Sequence, residues 1–295
     1  MKKFSLIFSI TILFVVCGVL QCFSATKTKV EVLQIVSSDG NTLSEDFTID
    51  NSALIRSVRR NKFDMVQKYL EKGADVNAKD DSGFFPLLIA VDNNNYDMVK
   101  LLISFGVDLN LKTGKIYDKK GIIDYGTALM YSTKLGLYEI SKLLIVSGAD
   151  VNAQNEDGKT ALMIASERGN EKLTKLLISK GADVNIKNAD KMTALSYAVR
   201  YDKIKTAKKL IAKGADVNNI HYYGKTPLIE ATEKGNYEMV KLLVSNGADF
   251  NHKNNGYDTA LDIARRDRNA EFNKRKPTKN LDKIVKLLEE KSNKD

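Results

Sequence analysis

Tryptophan is absent from the 295 residues, proline occurs three times, and histidine and cysteine twice each. Each scarcity removes a class of chemistry. Cys17 and Cys22 both fall within the first 24 residues, so the rest of the chain has no thiol for a disulfide, a thiolate nucleophile or a Cys-ligated zinc. That suits an oxidising compartment, where a free thiol is a liability. His221 and His252 stand at no metal-ligand spacing, and no Ser/His/Asp order is legible around them. No Gly-rich phosphate loop occurs, because each glycine serves a recurring turn. The reading is a non-catalytic chain with no catalytic residues, no metal and no cofactor.

What is present is a continuous supply of apolar residues, 43% of the chain, with 28% charged. The formal charge is +9, from 37 Lys and 9 Arg against 37 acids. Part of the excess is Lys2 and Lys3. More of it lies between Arg265 and Asp295, where 11 basic residues face 6 acidic ones. The stretch between is close to neutral. A nucleic-acid binder carries a basic stripe along its working face, whereas a basic tail is a solvated end that aids solubility. Nucleic acid is therefore not an expected partner.

Lys2 and Lys3 precede an apolar run from Phe4 to Leu20, and small or mixed residues follow to Ala25. That order is the order of a secretory signal, residues 1–24, with cleavage after Ser24. Two other readings are an uncleaved anchor, since the run is at the lower length for a membrane span, and a lipid on Cys22. Residues 25–50 read as a flexible linker. The chain is thus expected to be exported, periplasmic or secreted, and to meet a membrane only transiently during export. Its Lys- and Asn-rich composition suits an AT-rich bacterial gene.

From residue 51 to 291 the sequence repeats. Gly-Ala-Asp, or a near variant, recurs at Gly73, Gly106, Gly148, Gly181, Gly214 and Gly247, with spacings of 33, 42, 33, 33 and 33. A second marker runs in phase: Phe85-Pro86-Leu87-Leu88, Thr127-Ala128-Leu129-Met130, Thr160-Ala161-Leu162-Met163, Thr193-Ala194-Leu195-Ser196, Thr226-Pro227-Leu228-Ile229 and Thr259-Ala260-Leu261-Asp262. Thr caps the free N–H groups of a short helix, with Pro or Ala at its first position. Apolar spacing of three and four, as in Leu173, Leu176 and Leu177, makes a second helix, which the Gly of Gly-Ala-Asp ends in the left-handed conformation. A loop led by Asp-x-Asn returns the chain to the next Thr. The fold class is an all-α repeat solenoid of about seven units with atypical ends. The 42-residue spacing inserts nine residues within Lys112–Tyr125, and Asp267–Asn280 is expected to interrupt the last unit.

These residues resemble the ankyrin repeat over about Asn51 to Glu290. The chain departs from the family's Thr-Pro-Leu-His at its fourth place, which holds Leu88, Met130, Met163, Ser196, Ile229 and Asp262. The family His ties neighbouring loops by hydrogen bonds. The resemblance implies helix-turn-helix-hairpin units and binding of a protein partner by a monomer, through the hairpin tips and the exposed side of the first helix. At those places stand Phe84, Tyr125, Met192, Arg200, Tyr201, Tyr222 and Tyr223, read as the partner-binding set because aromatic and Arg residues anchor interfaces. The alternatives are an electrostatic binder of membrane or nucleic acid through the basic tail, and an inhibitor- or immunity-type module associated with an enzyme.

Overall fold

The computed structural model describes residues 50–118, 121–273 and 278–292. The expected signal 1–24, the linker up to residue 49 and the tail residues Lys274, Arg275 and Lys276 lie outside the described residues. Within them, seven pairs of helices follow one another. The pairs are α1 (Asn51–Arg59) and α2 (Phe63–Glu71), α3 (Pro86–Asp92) and α4 (Tyr96–Ser104), α5 (Ala128–Leu135) and α6 (Tyr138–Val146), and α7 (Ala161–Arg168) and α8 (Glu171–Ser179). Then come α9 (Ala194–Arg200) and α10 (Ile204–Ile211), α11 (Pro227–Glu233) and α12 (Tyr237–Ser245), and α13 (Ala260–Asn273) and α14 (Lys279–Ser292). Odd-numbered helices pack on odd-numbered neighbours and even-numbered on even-numbered ones, and the odd row packs more closely. The odd-numbered helices are called inner below, the even-numbered ones outer.

Local chemistry sets each boundary. Thr127, Thr160, Thr193 and Thr226 sit in extended backbone, and each hydroxyl accepts the N–H three residues on, at 3.3–3.4 Å. Ser196 returns the bond to the Thr193 N–H at 3.2 Å, closing a capping box. The outer helices α4, α8 and α12 are capped by Asn95, Asn170 and Asn236. Gly181, with φ +88, ends α8 in the left-handed region.

The core is a double row of leucines. Leu87, Leu129, Leu162, Leu195 and Leu228 line the inner helices at 0–1% exposure, and Leu102, Leu144, Leu177, Leu210 and Leu243 line the outer ones at 0%. Burying each contributes about 1.5–3 kcal/mol, and no repeat can do this without its neighbours.

The loops are tied without the histidine that the motif lacks. Asn77, Asn110, Asn152, Asn185 and Asn218 each accept, through Oδ1, the N–H of the Asp in the next repeat (Asp108, Asp150, Asp183, Asp216, Asp249) at 2.8–2.9 Å. Asn152, Asn185 and Asn218 also donate to the carbonyls of Gly181, Gly214 and Gly247 at 3.0–3.2 Å. Each Asp in turn accepts the N–H of the Asn two residues on. The recurring Asp and Asn are thereby consumed by the scaffold.

Two elements depart from the sequence reading. The nine-residue insertion forms a two-stranded antiparallel hairpin, β1 (Lys115–Asp118) and β2 (Gly121–Asp124), registered Lys115 opposite Asp124 and Asp118 opposite Gly121. The polar stretch after Asp267 was expected to break the last unit. Instead α13 continues through the first part of it to Asn273, because Glu, Asp, Arg and Asn there leave a helix free to extend into solvent with Ile263 and Ala264 as its buried anchors; residues 274–277 of the stretch lie outside the described residues.

Candidate functional site

Four of the hairpins before inner helices are each held by one polar side chain. The side-chain oxygens of Asp80, Asn155, Asn188 and Asn254 accept the N–H four residues on, at 2.7–3.1 Å. His221 occupies that place in the hairpin between α10 and α11. Its backbone keeps the turn, pairing with Lys225, while its ring turns inward and is 2% exposed. The tip it precedes, Tyr222–Gly224, is a single tight turn in which Tyr223 holds φ 59°, ψ 20°, a left-handed conformation costly for a side chain of this size.

The tips are bonded to one another. Ala189 N–H donates to Asp157 O at 3.1 Å, Tyr222 N–H to Asp190 O at 3.2 Å, and Asn255 N–H to Tyr223 O at 3.1 Å. Four successive hairpins, joined by these three bonds, therefore make one continuous ledge.

Under the ledge, the inner-helix position that is Ile89, Tyr131, Ile164, Tyr197 and Ile263 in other units is Glu230. Arg200 Nε donates to Glu230 Oε1 at 2.7 Å, and the His221 ring nitrogen Nε2 lies 3.3 Å from Glu230 Oε2 without hydrogen-bond geometry. Burial pushes the Glu230 carboxyl up. The His221 ring and the Arg200 guanidinium outweigh it and hold the group below its ordinary value. The same guanidinium donates to the Tyr222 hydroxyl and sits 4.8 Å over the Tyr222 ring. Tyr222 meets Tyr223 edge-on at 5.1 Å. One repeat earlier the corresponding pair is Asn188 and Tyr197, joined at 3.1 Å.

A second aromatic cluster lies toward the start of the array. Phe84 contacts Tyr125 at 5.9 Å, Tyr125 contacts Tyr131 at 4.5 Å, and the Tyr131 hydroxyl donates to Asp92. Burial and that carboxylate raise the Tyr131 hydroxyl well above its usual range.

The seven residues singled out from sequence thus divide. Met192 was expected at the surface and is 1% exposed: the turn that Asn188 closes onto the Met192 N–H seats its side chain in the core. Phe84, Tyr125, Arg200 and Tyr222 are half-buried and engaged with neighbours. Tyr201 and Tyr223 are open to solvent, at 45% and 69%. Sequence reasoning passed over His221, Glu230 and the exposed Ile220, although an acid where other units carry Ile or Tyr was a visible sign. Ile220 and Tyr223 line a groove of about 800 Å³ along the ledge, with Lys187, Asp190, Asn218 and Asn255.

Among the described residues, no group of three or more His, Cys, Asp or Glu side chains is placed to hold a metal ion. Among them, no helix is long and apolar enough to cross a membrane.

Comparison with known families gives a match to the family described as ankyrin repeats (3 copies), at residues 22–113, 129–221, 186–254 and 219–272. No curated protein matches the chain.

Proposed function

Since this chain belongs to the ankyrin-repeat family, whose arrays generally mediate protein–protein interaction, we propose that it is an exported, non-catalytic scaffold. Its protein partner docks on the inner, concave side, along the ledge of hairpin tips between Asp190 and Asn255 and the neighbouring end of α9. The observation that carries this reading is the contrast within one cluster. Arg200, Glu230, His221 and Tyr222 pack together, while Tyr223 and Ile220 stand exposed at the ledge and Tyr201, beside Arg200 at the end of α9, is exposed as well. A rigid base with exposed aromatic and aliphatic anchors is how protein hot spots are built. Large exposed side chains carry a solubility cost unless a partner covers them.

The expectation of export enters this proposal through Lys2, Lys3 and the apolar run Phe4–Leu20. Site-specific photo-crosslinking tests the docking face. A photoreactive residue at Tyr223 or Tyr201 should capture the same protein in the cells that make this chain. The same probe at Lys100, on outer helix α4, should capture none of it. Capture from Lys100 alone would move the binding face to the outer helices.

A further inference from the structure

The overall charge balance hides a strong segregation on the outer helices. Residues 171–180 and 203–213, spanning α8 and α10, carry eight lysines and one acid, Glu171. Six of the lysines form equivalent pairs one repeat of 33 residues apart: Lys172 with Lys205, Lys175 with Lys208, and Lys180 with Lys213. α8 and α10 pack side by side, so these pairs make a grid of two columns and three rows. Neighbouring packed helices lie about 8–10 Å apart, and three residues along a helix about 4.5 Å. All six lysines are exposed.

The grid is barely neutralised from within. Glu171 pairs with Lys209 at 2.5 Å and lies 3.8 Å from Lys205. Lys172 rests 3.8 Å from the Tyr138 ring centre, which leaves its charge intact. The flanking repeats carry Glu139 and Glu238 at the place of Lys172 and Lys205, which bounds the full grid to two repeats. Lys142 and Lys241 extend its middle row.

We infer that this face is a docking surface for an anionic lipid bilayer, held by its phosphate headgroups. The argument is charge complementarity with a plane. Six exposed ammonium groups on and at the ends of two side-by-side helices match many phosphates spread in two dimensions, and lysine binds phosphate as an unspecific point charge. The outer faces of α8 and α10 hold no arginine to read base edges and no aromatic residue to stack on single strands, the features nucleic-acid readers use. The surface is distinct from the ledge of inner-helix hairpins, so either could exist without the other.

Co-sedimentation of the full chain with vesicles tests it. Phosphatidylcholine vesicles with about a third phosphatidylglycerol are compared with pure phosphatidylcholine ones, and the ratio of the two binding constants is read. The N-terminal apolar run contributes to both and cancels. Each lysine near an anionic surface is worth about fivefold in binding. Lys175→Gln, Lys180→Gln, Lys208→Gln and Lys213→Gln together should lower the ratio at least about thirtyfold with helix content unchanged. A control quartet, Lys62→Gln, Lys100→Gln, Lys253→Gln and Lys286→Gln, should lower it less than about threefold. Equal losses in the two quartets would reduce the effect to net charge and overturn the proposal. So would the absence of any preference for anionic vesicles. So would a duplex DNA oligomer whose binding the first quartet abolishes while vesicle binding stays.

Discussion

His221 and Glu230, nine residues apart, replace an Asn or Asp and an Ile or Tyr at the same two repeat positions, and their side chains meet at 3.3 Å beneath the exposed tip of Tyr222–Gly224. Two ionisable side chains thus stand where the preceding repeat has the neutral, hydrogen-bonded pair Asn188 and Tyr197. Arg200, from the preceding inner helix, completes it.

The carboxylate should make stability depend on pH in one direction. Glu230 sits below its ordinary value of 4.5 in the fold, so its ionised form favours folding. That contribution is complete above the unfolded value and is lost as pH falls through the lower folded one. Glu230→Gln should cost about 2 kcal/mol near neutral pH, the scale of a hydrogen bond to a charged group. Thermal melts from pH 7 to pH 3 should show the gap between the two proteins closing as pH drops below about 4.5. A gap that stays constant would mean that folding does not lower the Glu230 pKa.

Burial sets a second test. Met192→Ala should cost roughly 2–5 kcal/mol, the range for emptying a core position. Denaturant titration measures it. A silent substitution would return Met192 to the surface.

How much of this was legible beforehand turns on what a repeat period encodes. Thr193 and Gly181 announce themselves because their work is local: a hydroxyl caps the helix that follows it, and a left-handed residue ends the one before. Equivalence by 33 residues, however, says which side chains share a position and not how deep each lies. Lys159 and Met192 occupy the same place, yet one reaches over the Tyr197 ring at 4.8 Å and the other is buried. The family motif also drew attention to its missing His, while the tie between loops runs through Asn185 and its equivalents, already present in Asp-x-Asn. Tyr222 read as an exposed anchor because nothing in its own hairpin shows that Arg200, from the preceding repeat, lies within reach.

The loop ladder should respond to single changes. Asn185→Ala removes the acceptor for the Asp216 N–H and the donor to Gly214 O, and should cost about 1–2 kcal/mol in an exposed setting. Asn185→Asp keeps the acceptor and should cost less. Equal melting temperatures for all three proteins would show that the ladder contributes nothing.

The N-terminus is open to direct measurement. Mass spectrometry of the exported chain should find Ala25 first. An intact Met1 in the membrane pellet would instead establish an anchor, and a lipid on Cys22 would establish a lipoprotein.

The last prediction separates binding from stability at one residue. Tyr223 holds φ 59° with its ring 69% exposed, so the fold bears backbone strain for a side chain that it barely packs. Glycine adopts that conformation freely, and a left-handed non-glycine residue costs about 1–2 kcal/mol. Part of the relief is offset by the larger backbone entropy of glycine in the unfolded chain. Tyr223→Gly should therefore leave stability unchanged or raise it by up to about 1 kcal/mol. If the ring is an anchor, the same change should weaken binding of the crosslinked partner by at least about 2 kcal/mol, the threshold of a hot spot. Tyr222→Ala should behave differently, because it strips the Arg200 guanidinium of a hydroxyl and a ring and so lowers stability together with affinity. Calorimetric melts and titration of the partner distinguish the two. Loss of stability without loss of affinity in Tyr223→Gly would make the exposed ring a structural element and move the binding face away from the ledge.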